Sequence, residues 1–155
     1  MAFDAFLKLD GIDGESQDAK HKGEIEVLSF SWGITNATTI GSATGGAGAG
    51  KASVHDFSIV KMIDATSPLL FEKCCTGEHI TGGMFTLVDR QTGLGFYKIR
   101  FDEILVSSVQ PAANPGSHVP TESLSLNFSQ IEISASDSKG GTTNSIICSM
   151  DQKLG

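Results

Sequence analysis

GSATGGAGAGK, Gly41 to Lys51, is the stretch on which two incompatible folds turn. It comes one residue short of the phosphate-binding loop G-x-x-x-x-G-K-[ST]. Gly45, Gly50 and Lys51 match, but Ala52 stands where a magnesium-binding hydroxyl is required, and Ser53 comes one position late. A phosphate loop also needs a glycine turn that opens into a helix, whose free N–H groups meet the anion. Here the chain continues Ala52-Ser53-Val54-His55-Asp56-Phe57-Ser58-Ile59-Val60-Lys61. Phe57 and Ile59 alternate with Asp56 and Ser58, a period near two that marks a strand. Nucleotide binding is therefore set aside. Gly41, Gly45, Gly46, Gly48, Gly50 and Lys51 are read instead as a long flexible excursion between two strands.

Composition points the same way. A chain of 155 residues fits a single domain over 1–155 with a sizeable core. Its 18 glycines suit a turn-rich all-β protein. Net charge is −7 and the isoelectric point near 4.9. That balance argues against sequence-independent nucleic-acid binding and against anionic membranes. No apolar run approaches the ~18 residues of a membrane-spanning helix. The opening MAFDAFLKLDGIDG has neither a basic leader nor a continuous apolar segment, so no secretory signal is expected. Cys74, Cys75 and Cys148 are odd in number with two adjacent, which suits no disulfide framework, and no zinc spacing occurs. The adjacent pair reads as small hydrophobes on a helix.

Alternation places the strands. Phe3, Ala5, Leu7 and Leu9 share one face of the first, opposite Asp4, Phe6 and Lys8. A polar loop over 10–22 leads to a strand over Glu24–Gly33, with Leu28, Phe30 and Trp32 on one face and Val27, Ser29 and Ser31 on the other. A strand around Ser53–Ile63 follows the glycine stretch. Ser67 as cap and Pro68 in the first turn announce the one helix, stopped by Gly77. Met84–Arg90 then turns through Gln91-Thr92-Gly93 into a strand from Leu94 to about Val109, whose alternation slips near Glu103-Ile104, the mark of a bulge or bend. Pro111–Pro120 reads as a loop. Glu122–Ala135 carries Leu124, Leu126 and Phe128 on one face before shifting phase to Ile131 and Ile133. Asp137–Thr143 is a turn, and Ile146, Cys148 and Met150 close the fold. About seven strands and one helix make a compact antiparallel β-barrel or two-sheet sandwich with a flanking α-helix.

The order and spelling of these segments resemble the Hcp (haemolysin co-regulated) proteins, the inner tube of the bacterial type VI secretion system. The likeness runs through MAFDAFLKLDGIDGES, HKGEIEVLSFSWG (His21–Gly33), GGAGAGKASVHDFSIVK, DATSPLLFEKCCTGEHI (Asp64–Ile80), FDEILVSSVQ (Phe101–Gln110) and ESLSLNFSQIEI (Glu122–Ile133). The resemblance weakens after Ala135. It implies a homo-hexameric ring and rings stacked into a tube. It further implies effector proteins carried in the lumen, a spike protein at the tip, a contractile sheath outside, and secretion from the cytoplasm without a cleaved signal. Within that frame Ser29 and Ser31 are expected to line the lumen, because small hydroxyls leave a smooth, wettable wall. The glycine stretch is expected to contact neighbouring subunits or stacked rings. No cofactor, metal or catalytic residue is expected. His21, His55, His79 and His118 lie in no nucleophile motif, and His55 and Asp56, as strand neighbours, would point to opposite faces. The alternative is a monomeric barrel binding a small ligand or carbohydrate in its cavity.

Overall fold

The computed structural model describes residues 2–36, 52–116, 119–137, 141 and 143–149. In chain order these form β1 (Phe3–Leu9), β2 (Ile25–Val27), β3 (Ser29–Ser31), β4 (Ile34–Asn36), β5 (Ala52–Val54), β6 (Phe57–Met62), α1 (Ser67–Thr76), β7 (Ile80–Asp89), β8 (Gly95–Ala112), β9 (Thr121–Ser136) and β10 (Thr143–Ser149). Among the described residues ten strands thus replace the seven or so expected: the runs over Glu24–Gly33 and Ser53–Ile63 are each broken in two, and Ile34–Asn36 adds a strand beyond the first. One sheet has the order β2-β1-β7-β8-β9-β6-β3, with β10 also on β9, and every pairing is antiparallel.

Two corners fold this sheet into a nearly closed barrel. At the first, β8 and β9 turn together. Core positions on β8 are Ile99 and Phe101 before Glu103, then Ile104 and Val106 after it; on β9 they are Leu124, Leu126 and Phe128, then Ile131. Glu103 takes a positive φ of 49° to make the bend, a costly conformation for a non-glycine residue. Ser129, opposite, donates its hydroxyl proton to the Asp102 carbonyl at 3.0 Å. Both phase shifts read from the sequence fall at this corner. A separate register shift lies at Ser107, between Val106 and Ser108.

The second corner corrects the sequence reading. Glu24–Gly33 is not one strand: β2 pairs with β1 and β3 pairs with β6, with a break at Leu28. Passing from one sheet edge to the other reverses the inward parity. Ile25 and Val27 enter the core from β2, Phe30 packs on it from β3, as does Trp32 just beyond, and Leu28 is 56% exposed at the turn. Val27 and Leu28 therefore exchange the faces expected of them.

Phenylalanine fills the interior. Phe57 lies 5.0 Å from Phe85 and 5.1 Å from Phe101 between ring centroids, and Phe101 lies 5.3 Å from Phe128. Such offset and edge contacts add to what area burial alone contributes. Phe6 is also buried, but outside the barrel, stacked at 4.5 Å on His21 of the 10–24 segment. α1 packs against β8 with Leu70 buried and Cys74 against the core, whereas Cys75 is exposed. Gly77 ends it at φ 71°, donating its N–H to Lys73 O, the left-handed stop that glycine adopts without penalty. Ser67 is the first helical residue rather than the cap; its hydroxyl accepts the Asp64 N–H at 3.0 Å. Pro111 lies within β8 instead of opening a loop, and Met150 falls outside the described residues.

Candidate functional site

β3, β6, the first half of β9 and the second half of β8 form one four-stranded wall whose register sets its chemistry. Ser31 faces Ser58, Ser58 faces Ser125, and Ser125 faces Ser108, giving a row of four serines across four strands. The next outward row is Ser29, Val60, Ser123 and Gln110. Between them runs the inward row Phe30, Ile59, Leu124 and Val109, which packs on the core. Period-two alternation thus separates an apolar inner surface from a hydroxyl outer one. The Ser58 and Ser125 hydroxyls lie 3.2 Å apart, and the face encloses a shallow depression of about 210 Å³. Neither outward row carries a charge. Ser107, displaced by the bulge, donates to Asp56 Oδ2 at 2.6 Å and anchors the 55–56 link.

One row further along, the wall hides charges. Lys61 and Glu122 face each other across β6 and β9, pointing inward, and both are buried. Lys61 Nζ donates to Glu122 Oε1 at 2.5 Å, Asp64 Oδ1 at 3.0 Å and the Met62 carbonyl at 2.9 Å. Ser67 of α1 donates to Glu122 Oε1 at 2.6 Å, and both the N–H and hydroxyl of Thr66 donate to Asp64 Oδ1. Burial pushes the Asp64 carboxyl up, but the hydrogen bonds from Thr66 and Lys61 outweigh it and hold the group below its ordinary value. This cluster ties the start of α1 to the wall.

Beyond the barrel, the β3–β6 pair resumes after a one-residue slip as a separate hairpin. Gly33 O accepts the His55 N–H at 2.8 Å, and Ile34 faces Val54 in the β4–β5 pair. Residues 37–51, including Gly41, Gly45, Gly46, Gly48, Gly50 and Lys51, lie outside the described residues.

The two serines expected to share a surface, Ser29 and Ser31, do so, exposed on β3. The expectation that His55 and Asp56 sit side by side in a strand fails; they form the link between β5 and β6. His21 Nδ1 lies 2.7 Å from Glu24 Oε2, and His79 Nδ1 lies 3.7 Å from Glu103 Oε2. His118 is outside the described residues. Sequence reading missed Ser58, Ser108, Ser123 and Ser125 as partners of Ser31. The signal was present: Ser123 and Ser125 alternate with Leu124 and Leu126, and Ser58 sits between Phe57 and Ile59.

A family model described as type VI secretion system effector, Hcp, matches residues 6–134. The chain is 36% identical over 137 residues to protein hcp1 of Pseudomonas aeruginosa, covering 86% of this chain and 83% of that one. The chain belongs to the Hcp family. The crystal structure of Hcp1 from Salmonella typhimurium superposes with a TM-score of 0.82 at 35% identity, covering 98% of this chain and 97% of that one. A structure described as a type six secretion system protein reaches 0.90 at 31% identity and covers 98% of each chain. This Hcp chain is thus a structural tube component of the type VI secretion system and a secreted protein. Among the described residues no helix is long and apolar enough to cross a membrane.

Proposed function

We propose that this chain folds as one domain over 1–155 and assembles as a hexameric ring. The hydroxyl wall lines the lumen, and the stacked rings carry effector proteins there without acting on them chemically. The observation that carries the reading is the wall itself: four strands, two outward rows and no charge. Such a surface offers hydrogen bonds to any partner and repels none by sign. Among the described residues, the wall also ends in two strands without a ladder partner on their far sides, β3 and β8 beyond Ile104. Unpaired edges at opposite ends of one sheet suit a head-to-tail contact that closes on itself. Ser29 and Ser31 then face cargo. The stretch containing Gly41, Gly45, Gly46, Gly48, Gly50 and Lys51 contacts a neighbouring subunit or the next ring. A spike protein at the tip and a contractile sheath complete the partners, and the chain waits in the cytoplasm until expelled.

Native mass spectrometry tests the ring: six times 16.3 kDa is expected, and a persistent single-chain mass would refute it. Ser31→Tyr should reduce the protein that co-purifies within rings while leaving the ring mass unchanged. Equal recovery would remove Ser31 from the cargo face. Deleting Ser42–Gly48 should impair tubes more than folding, and normal tubes would sink that role. Against a monomeric ligand-binding barrel stands the interior, occupied by Phe57, Phe85, Phe101 and their aliphatic neighbours.

A further inference from the structure

Across the core from the hydroxyl wall, the other arm of the bent sheet consists of β1, β2, β7, the first half of β8, the second half of β9, and β10. Its inward residues Leu7, Phe85, Phe101 and Ile131 are buried, and Phe85 and Phe101 meet Phe57 of the wall. The opposite face of this arm therefore points away from the wall. Register sets Lys8, Met84, Arg100 and Glu132 in one outward row, and Thr86, Lys98 and Ser134 in the row beside it. Lys8, Lys98 and Arg100 are exposed. Lys20 and Lys22 belong to the segment whose His21 stacks on Phe6, and they border one cleft of about 410 Å³ with Lys8.

The described residues include eight lysines and arginines. Lys61, Lys73 and Arg90 each pair with a carboxylate. The other five, Lys8, Lys20, Lys22, Lys98 and Arg100, form no ion pair with another described residue, and all five lie on or beside this face. On a chain of net charge −7 the free positive charge is thus gathered on one side. Carboxylates interrupt it. Glu132 stands beside Arg100, Asp13 and Glu24 border the cleft, and Asp10 and Asp102 lie one row along, with Gly82 between them. Gly82 puts no side chain there, which leaves a notch of about 360 Å³ bounded by Lys8, Arg100, Asp10 and Asp102.

This pattern favours one class of partner. A nucleic acid presents closely and evenly spaced phosphates, which would meet the carboxylates as often as the cations. A folded protein can set single carboxylates over single cations and leave the gaps neutral. The spacings are those of a sheet: about 10 Å from Lys8 to Arg100 across two strands, and about 7 Å from Lys98 to Arg100 along β8.

We propose that this face docks an acidic protein surface, whose separate carboxylates meet Lys8, Lys98 and Arg100. That the partner lies outside the ring rests on the lumen reading above; the charge pattern does not. The probe is a dye-labelled peptide of alternating glutamate and serine, whose carboxylates recur about every 7 Å when extended. Its binding to the full chain is followed by fluorescence polarisation at about 0.05 M salt, where screening is weak. Lys8→Gln with Arg100→Gln should weaken binding about tenfold, the loss of two exposed charge contacts. Lys73→Gln, which removes a cation from α1, should leave binding unchanged. Carbodiimide coupling, which joins a carboxylate to an amine with loss of water, then maps the seat on the unaltered protein, so the answer does not depend on how the variants fold. Peptide links should concentrate at Lys8, Lys20, Lys22 and Lys98. Links as dense at Lys73, or no binding at low salt, would overturn the proposal. Duplex DNA binding more tightly than the peptide would overturn the acidic-protein assignment in favour of phosphate. A single-chain mass with the same link map would refute the ring and leave the docking face standing.

Discussion

Lys61 is the residue whose burial most needs explaining, since a lysine is almost never fully enclosed without partners. Its ammonium finds Glu122, Asp64 and a carbonyl, so the cost of leaving water is met within the cluster. Removing one member leaves an uncompensated charge: Lys61→Ala should cost about 3–5 kcal/mol in urea unfolding. The joint change Lys61→Met with Glu122→Leu should cost far less, because it removes both charges together. If the double variant is as damaged as the single, the pair contributes by shape rather than charge. Asp64 adds a pH dependence. Its folded-state carboxyl titrates below the ordinary value, so its contribution is present above the unfolded pKa of about 4 and is lost as pH falls through the lower folded value. The gap in melting temperature between the parent and Asp64→Asn should therefore narrow from pH 6 to pH 3. This cluster was partly legible: Lys61 shares the parity of Phe57 and Ile59, and Glu122 that of Leu124. A charge at an inward position was the signal, but which carboxylate met which ammonium depends on a pairing between strands about 60 residues apart, written in neither segment.

Among the elements, legibility followed the length of an uninterrupted pattern. The slips near Glu103 and after Phe128 could be read because each strand showed several alternating residues on both sides of the break. The break at Leu28 could not, because β2 and β3 hold only three residues each and either parity fits Val27-Leu28-Ser29-Phe30. The Ser67 cap was misplaced by one residue, since Asp64 supplies the acceptor for the Thr66 N–H. At the corner, Glu103 holds φ 49° with its side chain largely in solvent. Glycine takes that conformation without the Cβ conflict, so Glu103→Gly should raise stability by about 1 kcal/mol. A lower melting temperature would show that the Glu103 side chain contributes more than its backbone costs.

For the whole molecule, charge opposes assembly. Six copies at −7 carry −42, and like-charged rings stack against that repulsion unless salt shortens its reach. Raising salt from about 0.05 to 0.5 M should lengthen the tubes seen by sedimentation and electron microscopy, while the six-fold mass of single rings changes little; tubes that shorten with salt would point to attraction between rings as the stronger force. The barrel as a class was visible from alternation alone, and the family from its segment order. The serine wall was half visible, as two residues on β3, because the other hydroxyls join them only through sheet register.

The corner where β8 and β9 bend also bears on mechanics. Sheets in an ordinary sandwich touch through side chains and can be peeled apart by force. Here two backbones, 18 and 16 residues long, run unbroken around the bend of a single sheet. Tension on either arm of the bent sheet passes along covalent bonds to the other, so a sudden thrust meets no seam at this corner.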